Sequence, residues 1–217
     1  SAVTTATRDM RGALRHAADR PALFEAVLTK APLGLAGGAG WLLLNVTAYE
    51  ATIFGSAALA LGLLQSLRGV GTGVGPALAK RLMASGWSAR GLMRKSAAFT
   101  FASIALFIAA TFAGLWLLVP AALLWGMGSG GGWVFSYTEI QRRGPDEMLG
   151  RLASVDMLAF TLCMSASALG AALLIDTLAL SASAGAAILL VAGAALYVAL
   201  RAWTTSLETL TATPSVG

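Results

Sequence analysis

The chain has 217 residues; 57% are hydrophobic, 25 are glycine and only 12% are charged, against roughly 25% charged in an ordinary soluble domain. With a mean hydropathy of +0.76, this excludes a soluble globular enzyme, a disordered chain, a disulfide scaffold and a collagenous fibre. Apolar residues run along almost the whole length, which excludes a single-span anchor, and six helices of about 20 residues would account for about 120 positions.

The single cysteine, Cys163, has no internal partner and sits in an apolar run, so it reads as a small buried hydrophobe. The net charge of +5 and an isoelectric point near 10.0 would suit a nucleic-acid binder, but the placement of the charges argues against one.

Residues 1–30 are the only extended polar stretch. Met10, Leu14, Leu23 and Phe24 give part of it a modest apolar stripe, which predicts an amphipathic helix along the membrane surface. Charges throughout and the lack of an early apolar core exclude a signal peptide. The expected organisation is a polar segment over 1–21, a bundle over 22–203 and a tail over 204–217. Six apolar segments follow, at about 22–49, 53–82, 96–113, 115–140, 152–175 and 182–203. No run alternates with a period of two, so helices are expected and strands are not.

With the N-terminus cytoplasmic, every basic residue but Arg68 falls in the 1–30 segment, the 80–95 and 142–151 connections, or, as Arg201, at the C-terminal end of the last segment. The connections near Glu50, Gly114 and Asp176 carry none. Lys and Arg are enriched in cytoplasmic loops because they are hard to translocate. This sorting predicts six spans with both ends inside a cell membrane of the bacterial inner type, and it explains the basic isoelectric point without nucleic acid.

Two glycine clusters lie within spans: Gly69, Gly71, Gly73 and Gly75 before Pro76, and Gly126, Gly128, Gly130, Gly131 and Gly132. Small residues four apart let helices approach closely in lipid; the alternative is a soft helix beside a cavity. Neither cluster is followed by Lys-Ser/Thr, so neither is a phosphate loop. The serine in Gly126-Met127-Gly128-Ser129-Gly130 has no base to activate it, because the only histidine, His16, lies before the first span. No His and Cys pairs suggest a zinc site. No metal, cofactor or enzymatic activity is expected.

Arg68 is the one charge deep in a span, about 18 Å from Lys80 along a helix, and such a residue needs a partner, water or a ligand. Gln65 shares its helical face. Asp156 and Glu139 lie about 8 Å and 4–5 Å inside the basic end, so Asp156 is the carboxylate best placed to pair with Arg68; an anionic solute or a carboxylate on a partner bundle is the alternative. Trp41, Asn45, Trp133, Tyr137 and Thr138 are further candidates to line a cavity.

Three stretches resemble the C-terminal half of a major facilitator superfamily transporter. The run Gly69-Val70-Gly71-Thr72-Gly73-Val74-Gly75-Pro76-Ala77-Leu78-Ala79-Lys80-Arg81, with Ser88-Ala89-Arg90 after it, resembles the second span of a half and its basic loop, with Ala79 near the position of that family's acidic residue. Gln141-Arg142-Arg143-Gly144-Pro145-Asp146-Glu147-Met148-Leu149-Gly150-Arg151-Leu152 resembles the connection between the fourth and fifth spans in drug-efflux and siderophore-export-like members. Arg8 to Phe24 resembles the end of the loop joining the two halves. The resemblance implies an all-α membrane fold of two inverted three-helix repeats. It implies a solute pathway at Arg68, Gln65, Asn45 and Tyr137, coupling or an ion pair at Asp156 and Glu139, and loop motifs at Gly75, Arg90, Pro145, Gly150 and Arg151. Its expected partners are the bilayer, a small solute and a second six-helix bundle, supplied by an N-terminal half on the same or another chain or by a second copy. The other reading is a transporter-like bundle serving as an assembly subunit of a larger membrane complex.

Overall fold

The computed structural model describes residues 2–50 and 55–212. Ser1, residues 51–54 at the expected start of the second span, and residues 213–217 of the expected tail lie outside the described residues. Among the described residues eight α-helices follow one another: α1 (Ala2–Ala18), α2 (Pro21–Leu28), α3 (Lys30–Glu50), α4 (Ala57–Ala84), α5 (Ala89–Ala113), α6 (Leu118–Arg143), α7 (Leu149–Leu178) and α8 (Ala182–Ala212). Among the described residues there is no strand. Six stretches are long and apolar enough to cross a membrane: Pro21–Glu50, Ala57–Ala84, Ala89–Ala113, Leu118–Arg143, Asp146–Leu178 and Ala182–Leu210.

The helix ends have local causes. Ser56 and Ser88 cap α4 and α5, their hydroxyls accepting from the N–H groups of Leu59 (3.2 Å) and Gly91 (3.0 Å). Gly86 and Gly114, at φ of +95° and +137°, turn the chain after α4 and α5. The helical hydrogen bonding of the first span is broken at Thr29, between α2 and α3, because Pro32 has no N–H to offer the carbonyl of Leu28. The helix α8 runs nine residues beyond the expected end of the sixth apolar segment at Trp203, so residues 204–212 of the expected tail are helical.

The helices pack in two groups. α6 lies against α4 and α5, while α3 lies against α7 and α8. One apolar cluster, including Leu43, Leu44, Leu64, Ile104, Phe107 and Leu118, fills the half of the bundle near Glu50. A second, including Leu23, Met93, Phe135, Ile140 and Leu152, fills the opposite half, where the 80–95 and 142–151 connections meet. Arg90 there reaches Glu208 near the C-terminal end of α8 at 2.6 Å. Both basic connections, α1 and the end of α8 therefore gather at one end of the bundle.

α1 packs against α7 at that end. Its packed face differs from the expected stripe: Ala13 and Ala17 are buried and Met10 packs beside them, while Leu14 is exposed. Short alanines allow the helix to sit directly on the bundle.

Candidate functional site: a polar cavity inside the bundle

Between the two apolar clusters lies a cavity of 240 Å³, lined from α3 (Lys30, Leu33, Gly37), α4 (Arg68, Thr72), α5 (Thr100), α6 (Trp125, Ser129, Trp133) and α7 (Phe160, Met164). α4 and α7 pack on different partners, and their lining residues Arg68, Thr72, Phe160 and Met164 are half-buried or exposed.

The glycines make this arrangement possible. A methyl group on Gly71 or Gly75 of α4 would collide with the backbone of Leu123 or Met127 in α6; one on Gly126 or Gly130 would collide with Arg68 or Thr72 in α4. Gly128 and Gly131 press against Thr100 and Ser96 of α5 instead. The run 126–132 is thus a helix wedged between two neighbours, serving one with Gly126 and Gly130 and the other with Gly128 and Gly131. Gly69 and Gly73 meet nothing within 4 Å. Both clusters lie in unbroken helices, α4 and α6, and Gly71, Gly75, Gly126, Gly128, Gly130 and Gly131 are the members that pack closely.

α7 makes its own close approach to the backbone of α3. The hydroxyl of Ser167 in α7 donates to the carbonyl of Leu35 (2.5 Å) and accepts from the N–H of Ala39 (2.9 Å). These two groups would ordinarily close one turn of α3. Gly34 and Gly38 let α7 come this close, since a methyl on either would strike the backbone of Phe160 or Met164.

Arg68 sits near the middle of α4, about 17 Å from its start by helical rise. Its guanidinium carbon lies 4.4 Å from the ring centre of Trp41 and 4.7 Å from that of Trp125. One terminal nitrogen donates to Gln65 Oε1 at 3.3 Å, and Nε is buried without a partner among the described residues. The expected Arg68–Asp156 pair is absent. Asp156 is taken by Lys30, whose Nζ stands 2.5 Å from Oδ2, both side chains being almost fully buried. The same ammonium lies 3.5 Å from the ring centre of Tyr137 and 4.4 Å from that of Trp133. Lys30 belongs to the first span and not to the preceding polar segment. It stands close to the depth of Asp156, whereas Arg68 lies about 10 Å deeper.

The other expected residues separate as follows. Gln65 and Tyr137 stand beside the cavity through Arg68 and Lys30. Asn45 does not line it; its amide donates to the carbonyl of Trp41 at 2.7 Å. Glu139 is buried beneath Arg143 (2.6 Å) and Arg142 (3.6 Å), an ion-pair anchor at the end of α6. Arg151 reaches Asp9 of α1 at 3.4 Å, Pro145 precedes a turn of 3-10 helix at Asp146–Met148, and Gly150 has open space around it. Cys163 is half-buried.

A second polar centre lay hidden in the sequence. Glu25 of α2 is fully buried and accepts from Arg90 (2.8 Å) and Arg94 (2.6 and 2.7 Å) of α5, with Arg201 of α8 at 3.9 Å. This carboxylate ties the start of the first span to the third and sixth. Glu25 and Lys30 were hidden because they fall where a polar segment gives way to an apolar one. The signal was the apolar run Pro21–Leu28, which makes Glu25 a membrane-end residue. Compared with protein-family models, curated proteins and solved structures, the chain matches none of them.

Proposed function

We propose that the chain is half of a membrane transporter, moving a small solute by alternating access against a second six-helix bundle. The observation that carries this reading is the cavity at Arg68, a largely apolar chamber at mid-bundle depth with one unpaired cation in its wall. A bundle serving only to anchor or brace a complex has no use for a costly mid-membrane arginine beside empty space.

Two features support a second bundle. Along α4, Gly62, Ser66, Gly69 and Gly73 form an exposed small-residue face, and Ser154, Thr161 and Ser165 are exposed on α7. Small and hydroxyl-bearing residues suit contact with another helix better than contact with lipid chains. The packing pattern also fits two inverted repeats: the first span packs on the fifth and sixth, as the fourth packs on the second and third. On this reading the basic end is cytoplasmic. Asp156 is the group through which a proton would be coupled, since taking one up would release Lys30. Glu139 is excluded from that role by its position under two arginines.

The test is solute exchange in native membrane vesicles that contain the chain with its partner bundle, comparing the wild type with Arg68→Ala at equal membrane levels. Transport predicts a solute whose accumulation falls at least tenfold in the variant. Identical accumulation of every solute in the two samples contradicts a pathway at Arg68. Stoichiometric recovery with an enzyme complex, and no second bundle, would favour the assembly role.

A further inference from the structure

We propose that the cavity binds one organic monoanion, a carboxylate or similar acid on a compact apolar or aromatic body, with Arg68 as its counter-ion. The proposal deepens the transport reading and rests on it for its purpose, though binding is measured separately.

The charges at the cavity decide the sign and the number. Lys30 and Asp156 neutralise each other at 2.5 Å. Arg68 is the cation left over: its one acceptor is the neutral Gln65 amide, and no described carboxylate pairs with it. A single negative charge brings the site to neutrality. A second would be uncompensated, and a cation would be repelled.

The geometry decides the mode of contact. Trp41 and Trp125 stand against the guanidinium at 4.4 and 4.7 Å, so a ligand approaches its edge, where the N–H donors lie. That edge, with an unpartnered Nε, is the part of arginine that matches the two oxygens of a carboxylate. The hydroxyls of Thr72, Thr100 and Ser129 donate to carbonyls of their own helices, those of Arg68, Ser96 and Gly126. They offer lone pairs and no spare proton, which leaves Arg68 as the anion's donor.

The walls decide the body. Leu33, Trp125, Trp133, Phe160 and Met164 supply most of the remaining surface. An apolar cavity of about 150 Å³ admits a benzene, so 240 Å³ suits one ring or a short branched chain with its acid group.

The experiment is equilibrium dialysis of the purified full chain against labelled benzoate, cyclohexanecarboxylate and hexanoate, with benzamide and benzylamine as neutral and cationic counterparts. At least one acid should bind saturably at one per chain, with benzoate at least tenfold tighter than benzamide. Arg68→Gln should lose tenfold or more, and Arg68→Lys should retain part of the affinity. Equal binding of benzoate and benzamide overturns the proposal, as does undiminished binding to Arg68→Gln or no saturable binding of any acid. The acid–amide contrast is read on the wild type, so a poorly folded variant does not blunt it. Acid binding without exchange of any solute in vesicles would remove the transport reading and leave this one standing. Exchange of neutral or cationic solutes without acid binding would do the reverse.

Discussion

Two cations inside the bundle have opposite circumstances. Lys30 is enclosed by a carboxylate and two aromatic faces, whereas Arg68 is enclosed by two indoles and left with a buried Nε that has no partner among the described residues. Removing one member of a buried ion pair leaves the other charge stranded and costs about 3–5 kcal/mol, while replacing both with apolar residues is often neutral or better. Lys30→Met or Asp156→Leu alone should therefore lower the thermal unfolding temperature in detergent sharply, and the double variant should recover most of the loss. Additive losses in a double-mutant cycle would deny the pairing. The existence of a deep arginine and of a carboxylate near the basic end was legible in the sequence. Their separation was not, because Lys30 looked like the last residue of a polar segment. The first span begins at Pro21, so Lys30 lies inside it and gives Asp156 a nearer partner than Arg68.

At the scale of the helices, glycine spacing decides which surfaces touch. The helical character of all six spans followed from length, composition and the lack of alternation, and the structure keeps each near its expected place. What spacing alone did not separate is a glycine pressed on a neighbour from one facing outward, since alternate glycines on one helix point to different partners. The structure makes that distinction testable. Gly75→Ala puts a methyl into the backbone of Met127 and should destabilise by about 1–3 kcal/mol, the usual cost of overpacking. Gly73→Ala, two residues away and facing open space, should be neutral or gain up to about 1 kcal/mol from helix propensity. Thermal or denaturant unfolding of the isolated chain reads both, and equal losses would refute the assigned contact between α4 and α6. In α3, Ser167 of α7 bridges Leu35 and Ala39 beside Gly37 at the cavity wall. The serine gave no signal in the sequence, because its role depends on a helix more than a hundred residues away.

For the whole molecule, the sorting of basic residues and the packing agree. The 80–95 and 142–151 connections, α1 and the end of α8 meet at one end, held by Glu25 under Arg90 and Arg94 and by Arg151 near Asp9. The opposite end carries Glu50, the Thr111–Ser183 contact and Asp176, with no basic residue. Sequence patterning was sufficient for this topology because charge placement and hydrophobic length act on whole segments. The cavity needed the structure, because it depends on which side chains meet across helices. Everything proposed about a pathway presupposes six crossings with these connections on one side. Single cysteines at Ser85, Glu147 and Asp176, in a background with Cys163→Ser, test this in sealed right-side-out vesicles with a membrane-impermeant thiol reagent. The account predicts labelling of position 176 from outside, with positions 85 and 147 both labelled only after the vesicles are opened. Labelling of positions 85 and 147 from opposite sides would contradict it.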